Sequence, residues 1–245
     1  MDYIKSYSAQ YNKGFDEGLR QYMLKVYQYM ALALVFTGVF AYASLNFAPL
    51  MQMIYNVGPN GEIFGVSGFG TLIMFAPLAI SLFFFMKMAS MTVQTAQVML
   101  WLYAAVMGMS LSTLGLIYTG QSITKTFFVC ASVFGGMSIY GYSTKRDLTS
   151  IGSFLVMGVI GIVIAALVNM FLQSAALDFS ISLIGIVVFM GLTAWDTQKL
   201  KAIYQYSGID SETREKIAVV GALTLYLDFI NLFVYLLRFL GDKKE

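Results

Sequence analysis

The sequence predicts an all-α integral membrane protein built as a bundle of seven transmembrane helices, and three observations lead there. Of its 245 residues, 58% are hydrophobic and 11% charged, which leaves too little polar surface to coat a soluble globule. Seven apolar stretches follow one another, at 26–47, 71–88, 96–118, 123–141, 151–172, 179–196 and 217–239. Each is close to the roughly 20 residues that a helix needs to cross a hydrocarbon core. None alternates strictly between apolar and polar, and lipid offers the backbone no hydrogen bonds, so runs of this length are helices rather than barrel strands.

Taken in order, residues 1–21 are polar, with Asp2, Lys5, Lys13, Asp16, Glu17 and Arg20. They lack the short apolar core and small-residue cleavage site of a secretory signal. They read as a cytoplasmic tail, followed by a single seven-helix domain over 22–245. The first connection, 46–70, contains Pro49 and the turn signal Pro59-Asn60-Gly61. Pro77, inside the second stretch, frees a backbone carbonyl and is expected to bend that helix. Three small-residue pairs are each spaced four apart: Gly108 with Ser112, Ser132 with Gly136, and Gly161 with Ala165. Such pairs are expected at close helix contacts. Trp101, Tyr118, Tyr140, Tyr142 and Trp195 stand near stretch ends, where amphipathic rings favour the membrane interface. The connection 198–216 carries Ser207-Gly208 and mixed charges, and it reads as a second longer loop.

Charge narrows the function classes. A net charge of +2, with Lys and Arg scattered, gives no basic face for nucleic acid. The single cysteine, Cys130, excludes an intrachain disulfide. The absence of histidine removes His-based catalysis, imidazole metal sites and haem ligation, leaving oxygen ligands as the metal chemistry available. With the N-terminus in the cytoplasm, inner segments collect Lys5, Lys13, Arg20, Lys25, Lys87, Lys145, Arg146, Lys199, Lys201, Arg214 and Lys216, while the outer loops hold only Lys125. Seven crossings then put Arg238, Lys243 and Lys244 outside, against that trend. Either the rule fails for this short tail, or the last stretch enters and leaves on the same side.

The most informative residue is Asp228, in Leu-Tyr-Leu-Asp-Phe-Ile-Asn-Leu-Phe. It lies about 16 Å past the start of its stretch, midway through a core of about 30 Å. An Asp at a helix centre costs roughly 2.5 to 3.5 kcal/mol, so it faces a protein interior or a water path and has a partner. Thr224 and Asn231 share its helix face and are able to hydrogen-bond to it. The best partner on another helix is Asp196, in Ala-Trp-Asp-Thr-Gln-Lys-Leu. Counting residues leaves Asp196 about 10 Å nearer the cytoplasm than Asp228, an offset that helix tilt or a later start of the last helix would remove. Lys199, three residues on, offers a local surface pair instead. If the two aspartates meet, like charges in a low dielectric do not both ionise cheaply, and the pair titrates as a unit. Singly protonated, it would hold two helices together; doubly ionised, it would repel, admit water or bind a hard cation such as calcium transiently through oxygen. The alternative is a neutral, hydrogen-bonded structural group in a tight bundle.

LYLDFINLF at 225–233, Asp196-Thr197-Gln198, and the turn Gly141-Tyr142-Ser143-Thr144-Lys145-Arg146-Asp147-Leu148 occur in the order found in the Bax inhibitor-1 family, and the chain resembles its bacterial branch over 20–241. Trp195 stands where the family usually has Tyr or Phe. The resemblance implies a seven-helix fold with the last helix central, in a bacterial inner membrane. It also implies a pH-sensitive calcium leak, with calcium and protons as the species handled, governed by an aspartate pair that matches Asp196 and Asp228. Thr197 and Gln198 belong to the same motif. A basic residue on the second helix is implied as a closed-state partner; this chain has no Arg there, only Lys87 at the inner end. A role in restraining a membrane protease or a cell-death or stress pathway is also implied. Lys145-Arg146-Asp147 either caps the next helix or contacts the gate from below. No cofactor is implied.

Other classes remain for comparison. Intramembrane aspartyl proteases also place aspartates on consecutive helices, but their Gly-x-Gly-Asp is replaced here by Leu225-Tyr226-Leu227 before Asp228, and Pro-Ala-Leu is absent. A retinal protein needs a lysine in the last helix, and 217–239 has none. The chain is thus expected not to be an enzyme. An interaction protein that restrains a membrane partner stays open, as does a proton-coupled secondary transporter, which would show saturable exchange.

Overall fold

In lipid the backbone can be satisfied only within helices, and the computed structural model, which describes residues 2–206 and 211–244, is accordingly helical almost throughout. Its helices are α1 (Asp2–Asn46), α2 (Ala48–Ile54), α3 (Gly68–Lys87), α4 (Val93–Leu111), α5 (Leu114–Ile117), α6 (Gly120–Ser143), α7 (Thr149–Leu172), α8 (Ala175–Tyr206) and α9 (Ser211–Leu240). Seven are long and apolar enough to cross a membrane, and they match the seven predicted stretches in order. The segment expected as a tail ahead of the first span is the N-terminal part of α1.

Helix starts are set by hydroxyl caps, which satisfy amides that a helix leaves unpaired. Ser67 accepts from Gly70 N (2.9 Å), Thr92 from Thr95 N (3.2 Å) and Thr119 from Ser122 N (3.2 Å). The turn signal between α2 and α3 forms a small antiparallel hairpin, β1 (Tyr55–Val57) with β2 (Ile63–Val66), in which Gly61 takes the left-handed φ of 81°. The Tyr55 hydroxyl, at 2.6 Å from Ser112 Oγ, ties this hairpin to the end of α4.

The connection expected over 198–216 is mostly helix. Ser207-Gly208 lies outside the described residues, but α8 runs on to Tyr206 and α9 begins at Ser211. The polar residues that suggested a loop have partners instead. Glu215 pairs with Lys25 at 2.9 Å and accepts from Tyr29 at 3.1 Å, Lys216 donates to Met91 O at 3.3 Å, and the Tyr204 ring packs on Tyr22.

The last helix is the axis of the bundle. Its membrane-spanning window is 61% buried, against 17–33% for the other six, and α8, α1, α6 and α4 all pack on it. Its far end shows what holds the segment that carries Arg238, Lys243 and Lys244. Thr119 N donates to Asp242 O, Lys244 N to Ile117 O, and Asp242 N to Ser122 Oγ. The C-terminus is therefore docked on the turn between α5 and α6, at the opposite end from the α8–α9 link. The last helix therefore runs the full length of the bundle, and Arg238 finds Asp178 at 3.7 Å.

Small residues carry the close approaches, though not all those expected. Gly108 lies against the backbone of Thr37, and Ser112 is buried. Ser132, Gly136 and Gly161 instead face outward, because the spacing marks a smooth face without saying which way it points. The tightest contacts are elsewhere: a Cβ on Gly141 would collide with Ala194 O, and one on Gly152 would overlap the Trp195 ring. Gly141→Val is expected to force α6 off α8 and destabilise the fold by about 1–3 kcal/mol. Gly136→Val, with open space around it, should change little. Thermal unfolding of the two variants in detergent checks this; equal melting temperatures would contradict the assigned contact.

Candidate functional site: a carboxyl pair on the last two helices

The Ala194–Gln198 segment makes one turn of α8 whose successive side chains each meet a different neighbour. Ala194 lies against Gly141 of α6, and Trp195 against Gly152 of α7. Thr197 is fully buried with its Oγ1 3.5 Å from the Tyr27 hydroxyl of α1. Gln198 clamps the α6–α7 turn, accepting from Leu148 N (2.8 Å) and donating to Arg146 O (2.8 Å). The remaining residue, Asp196, points to α9. With its neighbours fixed on four sides, that carboxyl has little freedom to turn elsewhere.

Asp196 and Asp228 are 6% and 5% exposed, and their carboxyl groups lie within hydrogen-bonding and electrostatic reach of each other. The offset obtained by counting is removed by the antiparallel register of α8 and α9. Gly221 seats Leu200, Gly185 seats the Tyr235 ring, and Phe189 stacks on Tyr235 at 5.8 Å. This places the two aspartates within about one helical turn, ~5 Å, of the same level. Asp228 Oδ2 is buried, with no hydrogen-bond donor among the described residues. Among the described residues no salt bridge reaches either carboxyl; Lys199 acts on Asp196 from the exposed side, its Nζ 5.0 Å above the Trp195 ring. Two acids and an orphaned acceptor make a site for a proton, which one carboxyl can donate to the other.

A resident metal fits the pair less well. Among the described residues no third acidic or cysteine side chain joins it. Calcium takes six to eight oxygens, so here most would have to come from water or backbone.

The other residues singled out in the sequence are not gathered at the pair. Thr224 donates to Val220 O (3.2 Å) and Asn231 to Leu227 O (2.8 Å), each along its own helix rather than to Asp228. Hydroxyl and amide groups inside a helix readily take the carbonyl four residues back. Lys87 is exposed at the last turn of α3, a helix that packs chiefly on α4. Asp147 accepts from Thr149 N at 2.9 Å at the start of α7, and hydrogen bonds from the Thr149 side chain and then its amide hold the carboxyl below the usual range. The residues that sequence reasoning missed are Tyr27, Gly141 and Gly152. Gly141 was visible only as part of a turn motif, and nothing local marks Tyr27, whose contact with Thr197 spans 170 residues.

Gln198→Leu removes both bonds to the α6–α7 turn while keeping the volume of the side chain. The expected loss is about 1–3 kcal/mol, concentrated at that turn. Hydrogen exchange at the Leu148 amide should accelerate in the variant, while exchange in α4 stays unchanged. Unaltered protection at Leu148 would show that the clamp does not hold the turn.

Comparison with known proteins gives the same picture. Residues 19–245 match the family model described as inhibitor of apoptosis-promoting Bax1. The chain is 57% identical to a protein of Rickettsia prowazekii over 100% of both chains. It is 43% identical to one of Caulobacter vibrioides, covering 94% of this chain and 92% of the relative. It is 40% identical to the inner membrane protein YbhL of Escherichia coli, covering 93% and 94%. The chain, a seven-span membrane protein with its last helix at the centre, belongs to the Bax inhibitor-1 family.

Proposed function

We propose that this protein is a pH-dependent cation leak of the bacterial inner membrane, with calcium as a permeant ion and the Asp196–Asp228 pair as its latch. The observation that carries this reading is the approach of two buried carboxyls, one with an orphaned oxygen, on the central helix α9 and on α8, which packs most extensively against it. With one proton shared, the carboxyls hold α8 to α9. With both ionised, they repel, and the interface takes up water or a hard cation through oxygen. Thr197 and Gln198 position the Asp196 turn; Thr224 and Asn231 shape the adjoining face of α9. Lys87, at the end of α3, is a charge that could approach only if α3 moved. Placement in the inner membrane is supported by the description of the Escherichia coli relative, and a cytoplasmic N-terminus by the distribution of Lys and Arg.

A second reading is favoured by the family's description as an inhibitor: the bundle binds and restrains another membrane protein, such as a protease, and flux is incidental. The two readings separate in one experiment. The full chain is reconstituted in liposomes loaded with a calcium indicator, and influx is followed across about pH 5 to 8. As the latch loses its proton, influx should rise with pH, by about tenfold per unit below the midpoint of the titration. Asp228→Asn and Asp196→Asn keep a hydrogen bond without the ionisation, so each should stay closed with little response to pH. Wild-type vesicles with no influx at any pH would overturn the leak. Saturable influx that required a counter-ion gradient would point to a transporter instead.

A further inference from the structure

Among the described residues, α1 and α6 both pack on α9 but not substantially on each other. Between them a cavity of about 550 Å³ opens sideways, toward what would be the bilayer. Its mouth carries Arg20 and Ser143, at the ends of the spans Glu17–Asn46 and Gly120–Ser143, and its walls are apolar, including Met23 and Phe134. Inside it lies Ser138, 5% exposed, whose hydroxyl has no hydrogen-bond partner. A buried donor of this kind calls for an acceptor that the protein does not supply.

We propose that this cavity binds an anionic phospholipid of the adjoining leaflet. The Arg20 guanidinium takes the phosphate, and its existing contact with Glu17, 3.6 Å long and exposed, is a weak competitor. Ser138 lies five residues, about 7.5 Å, deeper than Ser143. A glycerol ester carbonyl sits at a comparable depth below its phosphate, and rotation of the Ser138 side chain, whose hydroxyl is buried as it stands, brings the O–H to it. The acyl chain then lies along Met23 and Phe134. Lys145 and Arg146, exposed on the next turn, and Lys201, donating to Tyr142 O at 2.8 Å, add positive charge at the same end of the bundle. A cavity of this size is in the range of small-molecule sites, and its side opening admits a ligand from lipid rather than from water. The lipid would brace α1 against α6 beside the Tyr27–Thr197 contact, one residue from Asp196.

Native mass spectrometry of the full chain, delipidated in detergent and titrated with phosphatidylglycerol, phosphatidylcholine or inorganic phosphate, tests this. Phosphatidylglycerol should be retained about fivefold more strongly than phosphatidylcholine, and inorganic phosphate not at all. Arg20→Gln, at an exposed position that leaves the fold intact, should abolish the preference for the anionic lipid. Ser138→Ala should weaken both lipids, and Gly135→Leu, which fills the cavity, should prevent either from being retained. Equal retention of the two lipids by the wild type, a preference unchanged in Arg20→Gln, or retention of both lipids unchanged in Ser138→Ala would overturn the proposal.

Discussion

Two carboxyl groups held side by side away from water repel when both are charged, and burial removes the solvent that would screen them. At about 4 Å and an effective dielectric of about 20, that repulsion is about 4 kcal/mol. A domain is stable by about 5–15 kcal/mol, so the repulsion can push a pair of helices apart locally without unfolding the bundle. The contact between Asp196 and Asp228 is therefore the interaction on which the rest of the molecule turns. In the function proposed above, its protonation state decides whether the two most intimately packed helices stay closed.

For such a contact to respond to a proton rather than simply relax, its surroundings have to hold it in place. The one-turn segment around Asp196 does this with different chemistry on each side: backbone packing through Gly141, ring packing through Gly152, a hydroxyl contact to Tyr27, and the bidentate hold of Gln198 on the α6–α7 turn. On the other side, α9 is enclosed by four helices and pinned at its far end by Asp242 and Lys244. Neither carboxyl can swing to solvent without moving a helix. An ordinary buried acid would find a local donor, and the proposed latch rests on the absence of one at Asp228 Oδ2 among the described residues.

Much of this was legible in the sequence, and the physical reasons for the rest are specific. Seven spans follow from apolar length alone, and Asp228 stood out because a carboxylate in mid-span needs an explanation. Its pairing with Asp196 was a geometric question that counting could not answer, because the register is set by contacts such as Gly221 with Leu200 and Gly185 with Tyr235. Residues 198–216 read as a loop because their charges look solvated; Glu215 and Lys216 are in fact bound by α1 and by the turn that precedes α4. Ser132, Gly136 and Gly161 show the opposite error, since a small-residue spacing defines a face but not its direction. Thr224 and Asn231 stand four residues before and three after Asp228 on α9, yet their hydrogen bonds go to the backbone.

The central claim is that one proton sits between the two carboxyls, and infrared difference spectroscopy of the protein in lipid reads it directly. A protonated-carboxyl stretch that disappears as pH is raised, is lost in Asp228→Asn and shifts in Asp196→Asn is the expected result. A band that is absent at every pH, or that is unaffected by either substitution, would contradict it.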